Sequence, residues 1–193
     1  EEDALMYAAK SSNNPEIINL LIKAGANTSS ADKEGDTALA IACAKNKNPA
    51  VITALIKGGF DVNRKNKTGI PPLFYAVRNN TVDVVKALIE GKANVDIKID
   101  SGETALITAV RNPSIDGKIT ELLLNSGADP YIEDKTNKSA YDYAKIDAKF
   151  RETNAYKIMM AKPSGTVQEA LNKTLLLLVR NPMTNRGQIE KII

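Results

Sequence analysis

The chain repeats one short helical unit, and this repetition limits the folds that it can adopt. Alanines recur at intervals of 33 to 35 residues, at Ala8, Ala42, Ala76, Ala109 and Ala144. A second marker, the stop after each second helix, keeps the same intervals, at Gly25, Gly59, Lys92 and Gly127. Because two independent markers share one period, the repeat is not an accident of composition. A period of this length is typical of proteins whose units stack and bury their apolar faces against one another.

Each unit contains the pattern of a short capped helix. In "NNPEIINLLIKAGAN", Asn14 predicts an N-cap and Pro15 suits the first helical position. The apolar residues that follow lie on one helical face, and Gly25 predicts a left-handed stop. The stretch "NKNPAVITALIKGGFDVN" at 46–63 repeats these features. We interpret Asn-Pro as the start of the second helix in repeats one, two and four.

The residues around each marker carry a family pattern. The stretches that end at the alanines read "DALMYA", "TALAIA", "PPLFYA", "TALITA" and "SAYDYA". The stretches that begin at the stop residues read "GANTSSAD", "GFDVNRKN", "KANVDIKI" and "GADPYIED". Together with the period, these stretches resemble the ankyrin repeat and its T-P-L-H-x-A signature. The resemblance covers about residues 1–161. It implies an all-α solenoid of stacked helix-turn-helix units with short β-hairpin loops, in which Thr37 and Thr104 cap first helices.

The resemblance divides the chain into five repeats and a tail. The repeats are about 1–32, 33–66, 67–100, 101–134 and 135–162, and in the fifth Asn137 replaces the turn glycine. We interpret residues 163–193 as a degenerate helix pair that caps the stack, because "VRNP" recurs there 69 residues after its copy in repeat four. The alternative is that Leu175–Leu178 forms a partner-binding or dimer surface.

The chain starts at Glu1, without an initiator methionine. Glu1 aligns with Gly35, so the first hairpin is missing, and we expect a trimmed chain or a piece of a longer one. The compartment therefore stays open between the cytoplasm, which we favour, and secretion or the periplasm. The Ile-, Lys- and Asn-rich composition is similar to that of ankyrin proteins from AT-rich bacterial genomes, so we expect a bacterial source.

Composition argues against catalysis. The chain has no histidine and a single cysteine, Cys43, so the commonest general base and the usual zinc spacings are missing. No glycine-rich phosphate loop occurs. We therefore expect no enzyme activity and no cofactor or metal. Cys43 follows the packed Ala42 and is predicted to be a buried small residue rather than a reactive thiol.

The resemblance assigns partner binding to the concave face of the stack, formed by the hairpin tips and the exposed side of the first helices. The hairpin positions are Lys33, Glu34, Asp36, Lys67, Thr68, Ile70, Asp100, Ser101, Glu103, Lys135, Thr136 and Lys138. The signature's histidine position holds Met6, Ala40, Phe74 and Ile107. We expect Met6, Phe74 and Ile107 to be exposed apolar anchors for a partner. The alternative is that they only fill the junction between helix and hairpin.

A basic stripe is predicted along the same face. Two residues after the repeated alanines lie Lys10, Ala44, Arg78 and Arg111, with Lys45 beside them. This stripe can meet an acidic protein surface, or its charges can simply be solvated.

These patterns predict a monomeric, non-catalytic scaffold or adaptor that binds another protein and has no membrane span. One alternative is the regulatory region of a larger enzyme. The other is nucleic-acid binding through the basic stripe, which the net charge of only +3 and the few aromatic residues disfavour.

Overall fold

The computed structural model describes residues 2–79, 81–112 and 114–162, and this part of the chain contains ten α-helices and one short 3-10 helix. The helices of the first three repeats are α1 (Ala4–Ser11), α2 (Pro15–Lys23), α3 (Ala38–Lys45), α4 (Pro49–Lys57), α5 (Pro72–Asn79) and α6 (Val82–Glu90). The remaining helices are α7 (Ala105–Arg111), α8 (Gly117–Asn125), α9 (Ala140–Ile146) and α10 (Asn154–Ala161), with the 3-10 helix Phe150–Glu152 before α10. The capping helix pair predicted at 163–193 lies outside the described residues.

The first helix begins at a polar N-cap in repeats one, two, four and five. The hydroxyl of Thr37 accepts a hydrogen bond from the amide of Ala40 at 3.3 Å, and that of Thr104 accepts from Ile107 at 3.2 Å. In the fifth repeat Ser139 forms a complete capping box at the start of α9. The two predicted threonine caps are therefore confirmed, and each satisfies an amide that the helix cannot pair internally.

The second helix begins at Asn-Pro in repeats one and two, as predicted. Asn14 and Asn48 each accept from the amide two residues later, at 3.0 and 2.9 Å. In repeat four the prediction is wrong, because Asn112 ends α7 and the second helix starts at Gly117. The cap there is Asp116, whose carboxylate accepts an amide hydrogen bond at 2.9 Å and is favourable beside a helix N-terminus.

Residues with positive φ mark the same two points of each repeat. After the second helices φ lies between 70° and 101°, at Gly25, Gly59, Lys92 and Gly127. In the hairpin turns φ lies between 56° and 85°, at Gly35, Gly69, Gly102 and Asn137. The predicted left-handed stops are confirmed. Asn137 keeps the turn conformation of the glycine that it replaces, which asparagine tolerates better than most residues.

Lys92 is the non-glycine residue among the helix stops. Its φ of 70° costs an L-residue energy that glycine does not pay. We expect Lys92→Gly to raise the free energy of unfolding by about 0.5–1 kcal/mol in urea denaturation. Lys98→Gly, in an exposed loop with negative φ, is the matched control and should not stabilise. A Lys92→Gly chain no more stable than the control would contradict the strain assignment.

One apolar seam runs through the described repeats. The first helices pack in series, α1 on α3, α3 on α5, α5 on α7 and α7 on α9, and the second helices do the same from α2 to α8. The repeated alanines are buried, as are the leucines three residues before them, Leu5, Leu39, Leu73 and Leu106. Cys43 joins this core as predicted, and burial raises the pKa of its thiol, which makes it unreactive. The predicted all-α repeat fold is confirmed.

Candidate partner-binding face

Four hairpin turns of the described chain share one geometry. In each turn the amide of the first residue donates to the carbonyl of the residue four positions later at 3.0 Å, in 32–36, 66–70, 99–103 and 134–138. In three of the turns the side-chain oxygen of the first residue also accepts hydrogen bonds from backbone amides of the same turn; these acceptors are Asp32, Asn66 and Asp134. The turns are therefore held by local hydrogen bonds, whatever lies outside them.

Neighbouring turns are joined into a row. The amide of Lys67 donates to the carbonyl of Glu34 at 3.1 Å, and the amide of Lys135 donates to that of Ser101 at 3.0 Å. Between them, the carboxylate of Asp100 lies directly against Gly69. The structure thus brings the predicted hairpin residues together in one line. Those with exposed side chains are Lys33, Glu34, Lys67, Thr68, Asp100, Ser101, Lys135, Thr136 and Lys138, and those half-buried are Asp36, Ile70 and Glu103.

The predicted apolar anchors are not on the surface. Met6 and Phe74 are 1% exposed and Ile107 is 0% exposed, so the prediction that they are exposed is wrong. Ala40, at the same position of repeat two, is also buried. The physical reason is that these side chains turn into the seam between repeats, where burying apolar area is favourable. The alternative reading, that they fill the junction between helix and hairpin, is the one that fits.

The first-helix position that reaches the hairpins is the residue directly before the repeated alanine. In repeat three this residue is Tyr75, whose hydroxyl donates to the carboxylate of Asp36 at 3.0 Å and accepts from the side-chain amide of Asn66 at 3.0 Å. In Tyr143 the hydroxyl donates to Asp134 at 2.7 Å. This position was not predicted from the sequence, although tyrosine recurs there at Tyr7, Tyr75 and Tyr143.

The charges in these contacts indicate a structural role. Partial burial raises the pKa of Tyr75 to about 12, and its hydrogen bond to Asp36 acts in the same direction. Burial also raises the pKa of Asp36, against hydrogen bonds from Tyr75 and Asn66 that lower it. For Asp134 desolvation acts upward, but hydrogen bonds from Thr136, Tyr143 and the turn amides outweigh it and lower the pKa to about 2. These carboxylates tie hairpins to helices.

The junction between repeats three and four is apolar where its neighbours are polar. Ile70, Ile99 and Thr108 take the positions that Asp36, Asn66 and Tyr75 hold one repeat earlier. The two isoleucines pack against the core. The hydroxyl oxygen of Thr108 is buried, and no hydrogen-bond partner for it lies within the described residues. Ile70 therefore acts mainly as a packing residue, unlike the other hairpin residues.

The predicted basic stripe is smaller than the sequence suggested. Lys10 pairs with Glu2 at 3.0 Å, and Arg111 pairs with Glu103 while its guanidinium lies 5.0 Å from the centre of the Tyr143 ring. Arg78 is exposed and has no ion-pair partner among the described residues. Lys45 is exposed and Ala44 half-buried. Arg78 and Lys45 are thus the exposed cations of the stripe for which the described residues provide no ion-pair partner, and Arg78 belongs to α5, the third of the five first helices.

The helix pairs, their shared seam and the row of hairpin turns define an α-helical repeat protein. A family model described as ankyrin repeats (3 copies) matches residues 5–99 and 41–134. The chain therefore belongs to the ankyrin-repeat family, as the resemblance implied. No curated protein matches it. Ankyrin repeats are generally protein–protein interaction modules and typically non-catalytic.

No helix in the described part of the chain has both the length and the apolarity that crossing a membrane requires. No group of three or more cysteine, aspartate or glutamate side chains is placed to hold a metal ion within those same residues.

Proposed function

We propose that the protein is a non-catalytic scaffold or adaptor that binds another protein through the hairpin face. The hairpin face comprises the four hairpin turns and the exposed first-helix residues beside them, and it corresponds to the concave face of the ankyrin family. The observation that supports this most is the row of turns, each closed by its own backbone hydrogen bond and two of its three junctions hydrogen-bonded as well, because it presents exposed polar side chains on a backbone that is already ordered. A surface ordered before binding loses less conformational entropy when the partner arrives.

Arg78 is the residue of this face to which we assign the largest share of binding. Arginine is enriched among the residues that dominate interface energies, since its planar head forms several directed hydrogen bonds. Arg111 already forms an ion pair with Glu103, whereas Arg78 has no ion-pair partner among the described residues. The partner surface that faces Arg78 is therefore proposed to be acidic, and the protein to act as a monomer.

Replacing Arg78 by glutamate is expected to weaken partner binding at least tenfold. The change turns an attraction into a repulsion at the centre of the contact, and about 1.4 kcal/mol already equals a factor of ten. The partner would be isolated by affinity capture and identified by mass spectrometry, and the dissociation constant would then be measured by calorimetry with purified proteins.

Lys118→Glu is the matched control. It makes the same charge reversal at an exposed residue of a second helix, α8, and should leave the dissociation constant within about twofold, since a distant surface charge contributes little. Equal losses in both variants, or none in Arg78→Glu, would remove the hairpin face from the binding site. Binding to nucleic acid with a steep salt dependence would instead favour the nucleic-acid alternative.

A further inference from the structure

The first repeat carries an exposed apolar surface. Of the five exposed large hydrophobic side chains in the described residues, three lie in its two helices: Tyr7 (65% exposed), Ile17 (41%) and Leu20 (64%). We call Tyr7, Ile17, Leu20 and Ala24 the first-repeat face. Exposed apolar side chains on the helices of an end repeat are unusual, because terminal repeats normally turn a polar face outward.

The equivalent positions of the following repeats are buried. Ile17 and Leu20 correspond to Val51 and Ala54 of α4, which are 0% and 6% exposed. In α6 the same positions, Val84 and Ala87, are 0% and 7% exposed. Each of these helices packs on the second helix of the preceding repeat, α4 on α2 and α6 on α4. Ile17 and Leu20 are therefore exposed because no helix of the described residues packs on that side of α2, since the side chains themselves are as apolar as their buried counterparts.

The two sides of the stacking contact differ. One repeat contributes an isoleucine, and the next repeat, the receiving side, contributes a small residue on which the isoleucine packs. Ile22 of repeat one lies directly against Gly58 of repeat two, and Ile56 lies 2.6 Å from where a Cβ atom on Gly91 would be. Ala24 is the residue of repeat one that corresponds to these glycines, and it is exposed. Ser126 takes the same position in repeat four, where α8 still packs on α6, so a small side chain there does not prevent stacking.

The hydroxyl group of Tyr7 supports the same conclusion. The equivalent Tyr75 bonds residues of two hairpin turns, Asp36 of the preceding one and Asn66 of its own. In the described residues the Tyr7 hydroxyl has no such hairpin partner, and its ring is 65% exposed. A helix pair stacked on the first repeat would bring a hairpin to this hydroxyl.

We infer that the first-repeat face is the receiving surface for one further ankyrin helix pair, stacked in the register of the described repeats. A helix pair placed there would continue the series of contacts that α2 makes with α4 and α4 makes with α6. A second copy of the chain is a poorer occupant. Two first-repeat faces brought together would offer two receiving sides, while the stacking contact joins unlike sides. This inference is independent of partner binding at the hairpin face.

A chain extended by one of its own repeats tests the inference. Residues 35–69 are placed before Glu2, so that Gly69 of the added copy takes the place of Glu1 in the hairpin turn. Asp36 and Asn66 of the copy then take the positions relative to Tyr7 that they hold relative to Tyr75 in the original chain. The side chain of the copy that would pack on Ala24 is Ile56, which in the original chain lies against Gly91. We expect the extended chain to unfold in one transition at higher urea than the 193-residue chain. We also expect hydrogen exchange of the α2 amides to slow at least tenfold.

Leu20→Glu supplies the diagnostic comparison. It should leave the unfolding midpoint of the 193-residue chain unchanged, because the side chain is solvated, and should remove much of the gain in the extended chain. Asn13→Glu, at an exposed residue between α1 and α2, is the matched control and should act equally in both chains.

Three results would overturn the inference. One is a separate transition of the added repeat at lower urea, and another is α2 exchange that the extension leaves unchanged. The third is a 193-residue chain that sediments as a dimer and dissociates when Leu20→Glu is introduced, because that assigns the face to a second copy. A monomer in sedimentation supports the inference, and none of these outcomes bears on the hairpin face.

Discussion

Leu106→Ala is expected to lower the free energy of unfolding by about 2–5 kcal/mol. Leu106 is 0% exposed at the start of α7, within the seam that links α5, α7 and α9. Truncation removes three carbon atoms from this seam and leaves a cavity that the surrounding helices fill only in part. Because each repeat is stabilised chiefly by its neighbours, the loss weakens two interfaces at once.

Urea denaturation followed by circular dichroism measures this loss. Leu20→Ala is the control, since it removes the same atoms from a side chain that is 64% exposed, and should change stability by less than about 0.5 kcal/mol. If the two variants lost equal stability, the leucines before the repeated alanines would not be the packing residues of the stack.

The elements of this fold that depend on local chemistry could be predicted from the sequence. Thr37 and Asn48 cap helices because a short polar side chain reaches the unpaired amides of the first turn, and this needs no knowledge of the rest of the chain. Gly59 stops a helix because it takes a positive φ at little cost. Because the repeat has a regular period, each local prediction made for one repeat could also be made for the equivalent residues of the others.

The candidate site was predicted less well, because it depends on which side of a helix faces its neighbour. In "PPLFYAV" nearly every side chain is apolar, so the sequence does not show that Phe74 turns inward and Tyr75 towards the hairpins. One residue along a helix rotates the side chain by about 100°, which is enough to exchange core for surface. The pairing of Arg111 with Glu103, eight residues away, depends on the same orientation.

Gly102→Ala is expected to lower the free energy of unfolding by about 2–4 kcal/mol through two separate effects. The φ of Gly102 is +83°, a conformation that costs an L-residue about 1–2 kcal/mol. In addition, a Cβ atom there would lie 2.8 Å from the amide nitrogen of Lys135. That amide donates to Ser101, so the two turns must separate and the hydrogen bond between them must lengthen.

Gly25→Ala separates these two effects. Gly25 has nearly the same φ, +87°, but nothing lies within 4 Å of its Cβ position, so only the conformational cost of about 1 kcal/mol should remain. Urea denaturation of both variants gives the difference, which measures how tightly the hairpin turns are joined. Equal losses would mean that the turns move apart freely. The hairpin face would then be a set of independent loops, and the proposal that it is ordered before its partner binds would lose its main support.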